Sequence, residues 1–243
     1  MIIAKFVKYN IMMKLKFLTI KKKTIIAIFL CFLCVGVFCG AFYSVKVAAI
    51  PKYKHSIVID VGHGGRDGGA IGVSTGVTES ELNLTYAKKL AELAGDFGIK
   101  ATLTRNDMKG LYDENASNKK KSEMERRKQI INGSGADLMV SIHMNSFPLP
   151  SCEGAAVFYA KGSESGFDLA KSVQLNICKS FSSARDYVSV GDYYVINTAK
   201  MPAILIECGF LSSPKEEKLL VSEKYCEKFC YSILAGIISY FEM

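Results

Sequence analysis

The apolar run Ile57–Val61, followed at once by the glycine-rich segment Gly62–Gly69, constrains the fold more than any other feature of the chain. A short β-branched run that glycines end abruptly is typical of a buried strand. His63 then follows the carboxyl end of that strand, which is where open α/β sheets bind their ligands. The glycines allow the backbone to pass close to whatever His63 holds. The segment predicts a buried strand that presents a histidine at one edge of a sheet.

The rest of the chain alternates strands with helices. We predict strands at residues 99–104, 137–142, 153–160, 193–196 and 203–206, and helices at residues 79–97, 123–132, 165–181, 215–222 and 223–241. Such alternation is typical of a single α/β domain with a largely parallel, mixed sheet covered by helices on both faces. The cysteines beyond residue 46 are odd in number and follow no metal-ligand spacing, so this fold depends on its hydrophobic core.

The net charge of +8 is concentrated at the amino end and does not indicate a nucleic-acid-binding surface. Residues 1–23 contain seven lysines and no acidic side chain, which leaves 24 basic and 23 acidic side chains in the remainder. Residues 24–45 carry no charge, and about 20 apolar residues suffice to cross a bilayer as a helix. Lysines on the amino side predict a cytoplasmic N-terminus and an exported domain.

The predicted organisation is a basic cytoplasmic tail (1–23), a transmembrane anchor or uncleaved signal (24–45), a linker (46–55) and a catalytic domain (56–243). The alternative is a cleaved signal peptide, with the small residues of Val47–Ala49 as the cleavage site. In either case the domain is exported, anchored on the outer side of the membrane or secreted.

Three predicted strands end in ionisable residues, namely His63, His143 and Glu207, and Glu79 opens the first helix of the domain. Because the carboxyl ends of parallel strands meet at one edge of a sheet, these four residues could lie close together. Two imidazoles and a carboxylate with one open position form a catalytic zinc site, and a further carboxylate can act as the base for hydrolysis.

Each of these residues also has an interpretation without a metal. His63 could belong to a nucleotide-binding loop, although the third glycine of that fingerprint is missing and no helix begins there. Glu79 could simply favour the positive end of a helix dipole. His143 could make a structural hydrogen bond. Glu207 follows an apolar strand, where a carboxylate is costly unless it is paired or catalytic.

Three motifs nevertheless resemble one family, the zinc-dependent N-acetylmuramoyl-L-alanine amidases of type 3. They are Ile57–Ala70, with the pattern Asp-x-Gly-His-Gly-Gly-x-Asp-x-Gly-Ala, Ser141–Ser146 around His143, and Pro202–Ser212 around Glu207. The resemblance covers about residues 56–241. It implies that His63, Glu79 and His143 bind zinc and that Glu207 is the catalytic carboxylate. Glu81 competes with Glu79, but the family's spacing to the apolar helix residue Leu84 favours Glu79.

The resemblance implies hydrolysis of the amide between N-acetylmuramic acid and L-alanine in peptidoglycan. In such a mechanism we expect Asn145 to orient the histidine motif without binding the metal itself. Two positions depart from the family pattern, at Arg185-Asp186 and at Asn197. The short connection after His143 leaves no room for the inhibitory helix of some cell-division members. A catalytic domain behind a membrane segment is similar to the germination-specific amidases that produce muramic-δ-lactam in spore cortex.

The expected partners are peptidoglycan and the membrane, with an accessory or activating protein, and no nucleic acid. The alternatives are a zinc peptidase that cuts within the stem peptide and a wall-binding protein that is inactive without a partner.

Overall fold

The computed structural model describes residues 22–34 and 53–243. Residues 22–34 are helical (α1), with their large apolar side chains exposed. No helix within the described ranges is both long enough and apolar enough to span a bilayer. Residues 1–21 of the predicted tail, most of the linker and residues 35–45 of the predicted anchor lie outside the described residues, so the anchor remains a prediction.

The second compact unit of the chain contains six strands and six helices among its described residues. The strands are β1 (His55–Val61), β2 (Ile99–Leu103), β3 (Leu138–Asn145), β4 (Ala156–Ala160), β5 (Ser189–Gly191) and β6 (Ala203–Phe210). The helices are α2 (Glu79–Asp96), α3 (Lys119–Gly133), α4 (Glu164–Ser180), α5 (Tyr194–Thr198), α6 (Pro214–Leu220) and α7 (Glu223–Phe241).

The strands form one mixed sheet in the order β2-β1-β3-β6-β4-β5. Strand β4 is antiparallel to β6, and all other neighbours are parallel. This arrangement confirms the predicted α/β class and mixed sheet. It also places the carboxyl ends of β1, β3 and β6 at the same edge, since these three strands are adjacent and parallel.

Hydrophobic clusters cover both faces of the sheet, as predicted. Within β1, Ile57 and Ile59 belong to the larger cluster, which helices α2, α4 and α7 cover, whereas Val58 belongs to the smaller cluster with Ile131 of α3 and Val195 of α5. Alternate residues of a strand point to opposite faces, so both faces of β1 are buried. A strand buried on both faces is apolar without alternation, which explains the unbroken run in the sequence.

The strand predicted at residues 193–196 is wrong, because Tyr194–Thr198 form the helix α5. Aromatic and β-branched residues favour strands only weakly, and tertiary packing overrides that preference. Here one turn of helix buries Val195 and Ile196 in the smaller cluster. The strand of this region is the edge strand β5 at Ser189–Gly191, which has no recognisable apolar pattern.

Several boundaries also differ from the prediction. Helix α3 begins at Lys119, before the predicted Glu123, because the Asn118 side chain caps it by accepting a hydrogen bond from the Lys121 N–H at 2.9 Å. Strands β3 and β6 continue past His143 and Glu207, so these two residues lie within strands. His55, predicted in the linker, opens β1 and stacks on Phe241 at 4.0 Å between ring centroids.

Candidate metal centre

The fold brings the four predicted site residues to one edge of the sheet. His63 lies in the turn after β1, and Glu79 is the first residue of α2. His143 and Glu207 occupy paired positions on the neighbouring strands β3 and β6. Because paired residues of adjacent strands point to the same face, the side chains of His143 and Glu207 lie side by side.

His63, Glu79 and His143, which we call the candidate metal centre, converge on one carboxylate oxygen. Glu79 Oε1 lies 3.1 Å from His63 Nε2 and 2.8 Å from His143 Nδ1. One ligand atom from each residue lies within 4.8 Å of the others. The two imidazole rings meet edge to face, with their centroids 5.0 Å apart. The three side chains are thus aimed at a common point.

The donor set and its spacing fit a zinc ion. Zinc prefers nitrogen and carboxylate oxygen ligands, and tetrahedral ligands at about 2.0–2.1 Å from the metal lie about 3.4 Å from one another. The observed separations of 3.1 and 2.8 Å are close to that spacing. Three protein ligands also leave a fourth position open, which is typical of a catalytic site.

The electrostatics of Glu79 favour its role as a ligand. Glu79 is only 4% exposed, and burial alone would raise the pKa of its carboxyl group. The hydrogen bonds and charges of His143 and His63 outweigh burial, so the pKa of Glu79 is lowered and the group is ionised at neutral pH. Burial alone would lower the pKa of His63. The hydrogen bonds and negative charges of Glu79 and Asp67 outweigh burial, so the pKa of His63 is raised.

Backbone donors hold the Glu79 carboxylate in place. Its Oε2 accepts from the Ala70 N–H at 2.9 Å, and its Oε1 accepts from the Met144 N–H at 3.2 Å. Glu81 instead forms a capping box with Thr78, since its Oε2 accepts from the Thr78 N–H at 2.9 Å. The structure therefore places Glu79, and not Glu81, against the two histidines.

Glycine is required at two positions around the candidate metal centre. A Cβ atom on Gly62 would lie 2.5 Å from His143 Cε1, which is too close for any other residue. Gly69 has a φ of 68°, and its Cβ would collide with Glu79 Oε2. The glycine-rich segment thus shapes one wall of this site.

Glu207 lies beside the candidate metal centre as a buried carboxyl group. It is 9% exposed, and its Oε2 has no hydrogen-bond partner among the described residues. Burial raises its pKa to about 7, partly opposed by His143 and reinforced by the negative charge of Glu79. A carboxyl group with a pKa near neutrality can both take up and release a proton during a reaction.

Comparison with known proteins gives a match over most of the chain. Residues 57–239 match the family described as N-acetylmuramoyl-L-alanine amidase. The chain belongs to this amidase family. The resemblance inferred from the three motifs is therefore confirmed.

Similar proteins include amidases of several bacteria. The germination-specific N-acetylmuramoyl-L-alanine amidase of Bacillus subtilis is 32% identical over 200 residues, which cover 81% of this chain and 84% of the relative. The structure of the CwlD amidase from Clostridioides difficile in complex with the GerS lipoprotein has a TM-score of 0.74 and 35% identity, and the match covers 78% of this chain and 99% of that one. The Escherichia coli amidase AmiA is 27% identical, with 79% of each chain covered.

Two residues of this amidase that contact the candidate metal centre were not predicted from the sequence. Asp67 Oδ1 lies 2.9 Å from His63 Nδ1, at ion-pair distance but without the alignment of a hydrogen bond. The Asn83 amide donates to Gly62 O at 3.2 Å and more weakly to Glu79 Oε1 at 3.4 Å. The i,i+4 spacing of Asn83 from Glu79 could have indicated this contact. Asn145, expected to orient the motif around His143, accepts from the N–H of Ser146 in the same motif at 2.8 Å, and its role stays a prediction.

A buried charge network under the His63 turn was missed as well. Asp60 is fully buried in β1 and binds Arg127 at 2.9 Å and Ser141 Oγ at 2.7 Å. Burial would raise the pKa of Asp60, but Arg127 and Ser141 lower it. Arg127 also pairs with Glu123 at 2.8 Å. The one signal in the sequence was Asp60 itself, a carboxylate in an apolar strand that needs a partner.

Proposed function

We propose that this amidase hydrolyses the amide bond between N-acetylmuramic acid and L-alanine in peptidoglycan, with zinc held by His63, Glu79 and His143. The observation that carries the proposal is the convergence of these three side chains next to the buried carboxyl group of Glu207. The family match supports the substrate and the bond that is cut.

The proposed mechanism divides the work between the metal and Glu207. When bound, zinc acts as a Lewis acid that polarises a carbonyl group and lowers the pKa of a water molecule to about 7. The ionised Glu207 accepts a proton from the attacking water and then delivers it to the nitrogen of the leaving L-alanine. Its pKa of about 7 suits both steps near neutral pH.

A cavity next to the two histidines is the proposed path of the substrate. A cavity of about 140 Å³ opens beside His63 and His143, and Lys120 and Tyr193 are among its lining residues. We propose that the muramyl-peptide enters along this cavity, with its scissile carbonyl directed toward the two histidines.

Analysis of reaction products tests the proposal. The purified protein is incubated with peptidoglycan, and the soluble products are identified by mass spectrometry together with the metal content. Free stem peptides that begin with L-alanine are expected. Peptide fragments cut within the stem would instead identify a zinc peptidase. Binding to peptidoglycan with neither zinc nor released peptide would identify a wall-binding protein.

We propose a role in spore cortex maturation, where removal of the stem peptide leads to muramic-δ-lactam. The similarity to the germination-specific amidase and to the CwlD amidase supports this role. A strain without the gene should produce cortex that lacks muramic-δ-lactam, and unchanged cortex muropeptides would contradict the proposal.

Two further proposals concern partners and location. The CwlD amidase was solved with the GerS lipoprotein, which supports an accessory protein for this chain. Co-purification of a tagged chain from sporulating cells tests it.

The lysine-rich residues 1–23 and the uncharged residues 24–45 support export and anchoring. Protease treatment of intact cells should degrade an exported, anchored domain and leave cytoplasmic proteins intact.

A further inference from the structure

Arg105, two residues after the end of β2, donates all its hydrogen bonds to backbone carbonyl oxygens. Its Nε donates to His63 O at 2.8 Å and to Val61 O at 3.3 Å, and its Nη1 donates to Asp107 O at 2.8 Å. Its Nη2 donates to Gly62 O and Ser80 O at 2.8 and 2.9 Å. Burial and the neighbouring Arg127 lower the pKa of Arg105 to about 10, so the guanidinium is still charged at neutral pH.

The His63 backbone needs such support. With a φ of 57°, His63 is the one residue other than glycine that has a positive φ among the described residues. The left-handed region is unfavourable for a residue with a Cβ atom and persists only where the surroundings enforce it. Arg105 binds the carbonyl groups of residues 61, 62 and 63 in succession, so it holds this whole turn in one conformation.

The same guanidinium reaches the helix that carries the second proposed ligand. Ser80, whose carbonyl oxygen accepts from Nη2, directly follows Glu79 in the first turn of α2. We propose that Arg105 is a positioning residue that fixes His63 relative to Glu79 and thereby sets the zinc affinity of the site. This inference rests on the proposed zinc-dependent function.

The geometry of arginine suits this task, and lysine cannot replace it. A planar guanidinium offers five N–H donors in a fixed fork, whereas a lysine ammonium is a single point with three donors. A lysine at position 105 could therefore contact either the His63 turn or the first turn of α2, but not both. Arg105 is also 5% exposed, so it does not act by touching the substrate.

Arg105 permits a cleaner experiment than its neighbour Arg127. Arg127 also donates to His63 O, but it pairs with the buried carboxylates of Asp60 and Glu123. Removing Arg127 would leave these charges uncompensated in the interior and destabilise the whole domain. Arg105 donates its hydrogen bonds to backbone carbonyl groups and to no carboxylate. Replacing Arg105 therefore takes no hydrogen bond away from a buried carboxylate.

The test compares the full-length wild type with Arg105→Lys and Arg105→Gln, and uses Arg126→Lys as the control. Arg126 is an exposed residue of α3, and its Nη1 donates to Gln129 Oε1 at 3.4 Å. Zinc affinity per folded molecule is measured by competition with a chromophoric chelator, and ligand geometry is followed by the visible absorption of bound Co²⁺. The Michaelis parameters are measured on muramyl-peptides.

We expect both Arg105 variants to bind zinc about 10–100-fold more weakly, the range for residues that orient metal ligands. The Co²⁺ spectrum should change, and kcat should fall while KM stays within about twofold. Arg126→Lys should match the wild type.

Several outcomes would overturn the inference. If either folded Arg105 variant binds zinc within twofold of the wild type with an unchanged Co²⁺ spectrum, Arg105 does not position the ligands. If neither variant folds, Arg105 supports the whole domain and has no specific role at the metal. A wild type that takes up no zinc would overturn the proposed function, and this inference with it.

Discussion

Replacing Glu207 with glutamine should make the protein more stable while nearly abolishing its activity. The pKa of Glu207 is about 7 in the fold, against an ordinary value of 4.5, because the ionised form is buried. The folded state therefore binds a proton that the unfolded state releases, and the free energy of unfolding decreases as pH rises from 4.5 to 7.

The magnitude follows from these two pKa values. At about 1.4 kcal/mol for each pH unit, the wild type loses about 3 kcal/mol of stability between pH 4.5 and pH 7. Glutamine has no charged form and avoids this loss. Because the buried amide also needs hydrogen-bond partners, we expect a gain of about 1–3 kcal/mol at pH 7 and above. Well below pH 4.5, where Glu207 is protonated in both states, no gain is expected.

Urea unfolding of the zinc-free protein at several pH values measures this difference. Glu92→Gln is the control, because Glu92 is an exposed carboxylate on α2 that pairs with Lys89 at 2.9 Å, and it should change stability by less than about 0.5 kcal/mol. The activity of Glu207→Gln should fall about 10²–10⁴-fold, the typical contribution of a general base, with zinc content unchanged. A variant that is equally or less stable at pH 7, or that remains active, would refute the reasoning.

Three other predictions concern Glu79, Gly69 and Glu217. Glu79→Gln should lower the zinc content far below one equivalent, measured by atomic emission, because both histidines lose their shared carboxylate. Gly69→Ala should destabilise the protein by about 1–3 kcal/mol in thermal unfolding and weaken zinc binding, because it adds a collision with Glu79 to an unfavourable positive φ. The carboxylate of Glu217 accepts from Thr75 N and Oγ1 at 2.7 Å, and these bonds lower its pKa despite burial. Glu217→Gln should therefore lower stability at neutral pH, and its difference from the wild type should vanish as pH falls through the lowered pKa.

Each of these predictions has its own control or contrary result. A full equivalent of zinc in Glu79→Gln would remove Glu79 from the ligand set. Gly76→Ala is the partner of Gly69→Ala, since Gly76 has a φ of 76° but no atom within 4 Å of an added Cβ. Equal effects of the two alanines would show that the collision with Glu79 is unimportant. For Glu217→Gln, a stability difference that is constant from pH 3 to pH 7 would contradict the assigned hydrogen bonds.

The elements of the fold were largely predictable, since they depend on local patterns. The unbroken apolar run of β1 indicated a buried strand, and the helical period after Glu79 indicated α2 to within one residue of its observed end. Where the local pattern was ambiguous, prediction was wrong. The residues Tyr193–Ile196 favour a strand by composition, yet packing made most of them part of α5.

Choosing between the two acidic residues at the start of α2 illustrates what local sequence leaves open. Glu79 and Glu81 are two residues apart, and either could open the helix or face the histidines. The structure decides through long-range contacts, because the Ala70 and Met144 N–H groups and both histidines surround Glu79. Glu81 is left to cap the helix with Thr78.

The sequence alone determined the family, the α/β class and the proximity of His63, His143 and Glu207, because short motifs and strand ends are local features. Only the tertiary structure revealed that Arg105 bridges the His63 turn to the first turn of α2, and that Asp60 and Arg127 lie buried beneath that turn. A charged residue looks the same in a sequence whether it faces water or the interior. Its burial and its partners depend on how distant segments pair and pack, which no local pattern records.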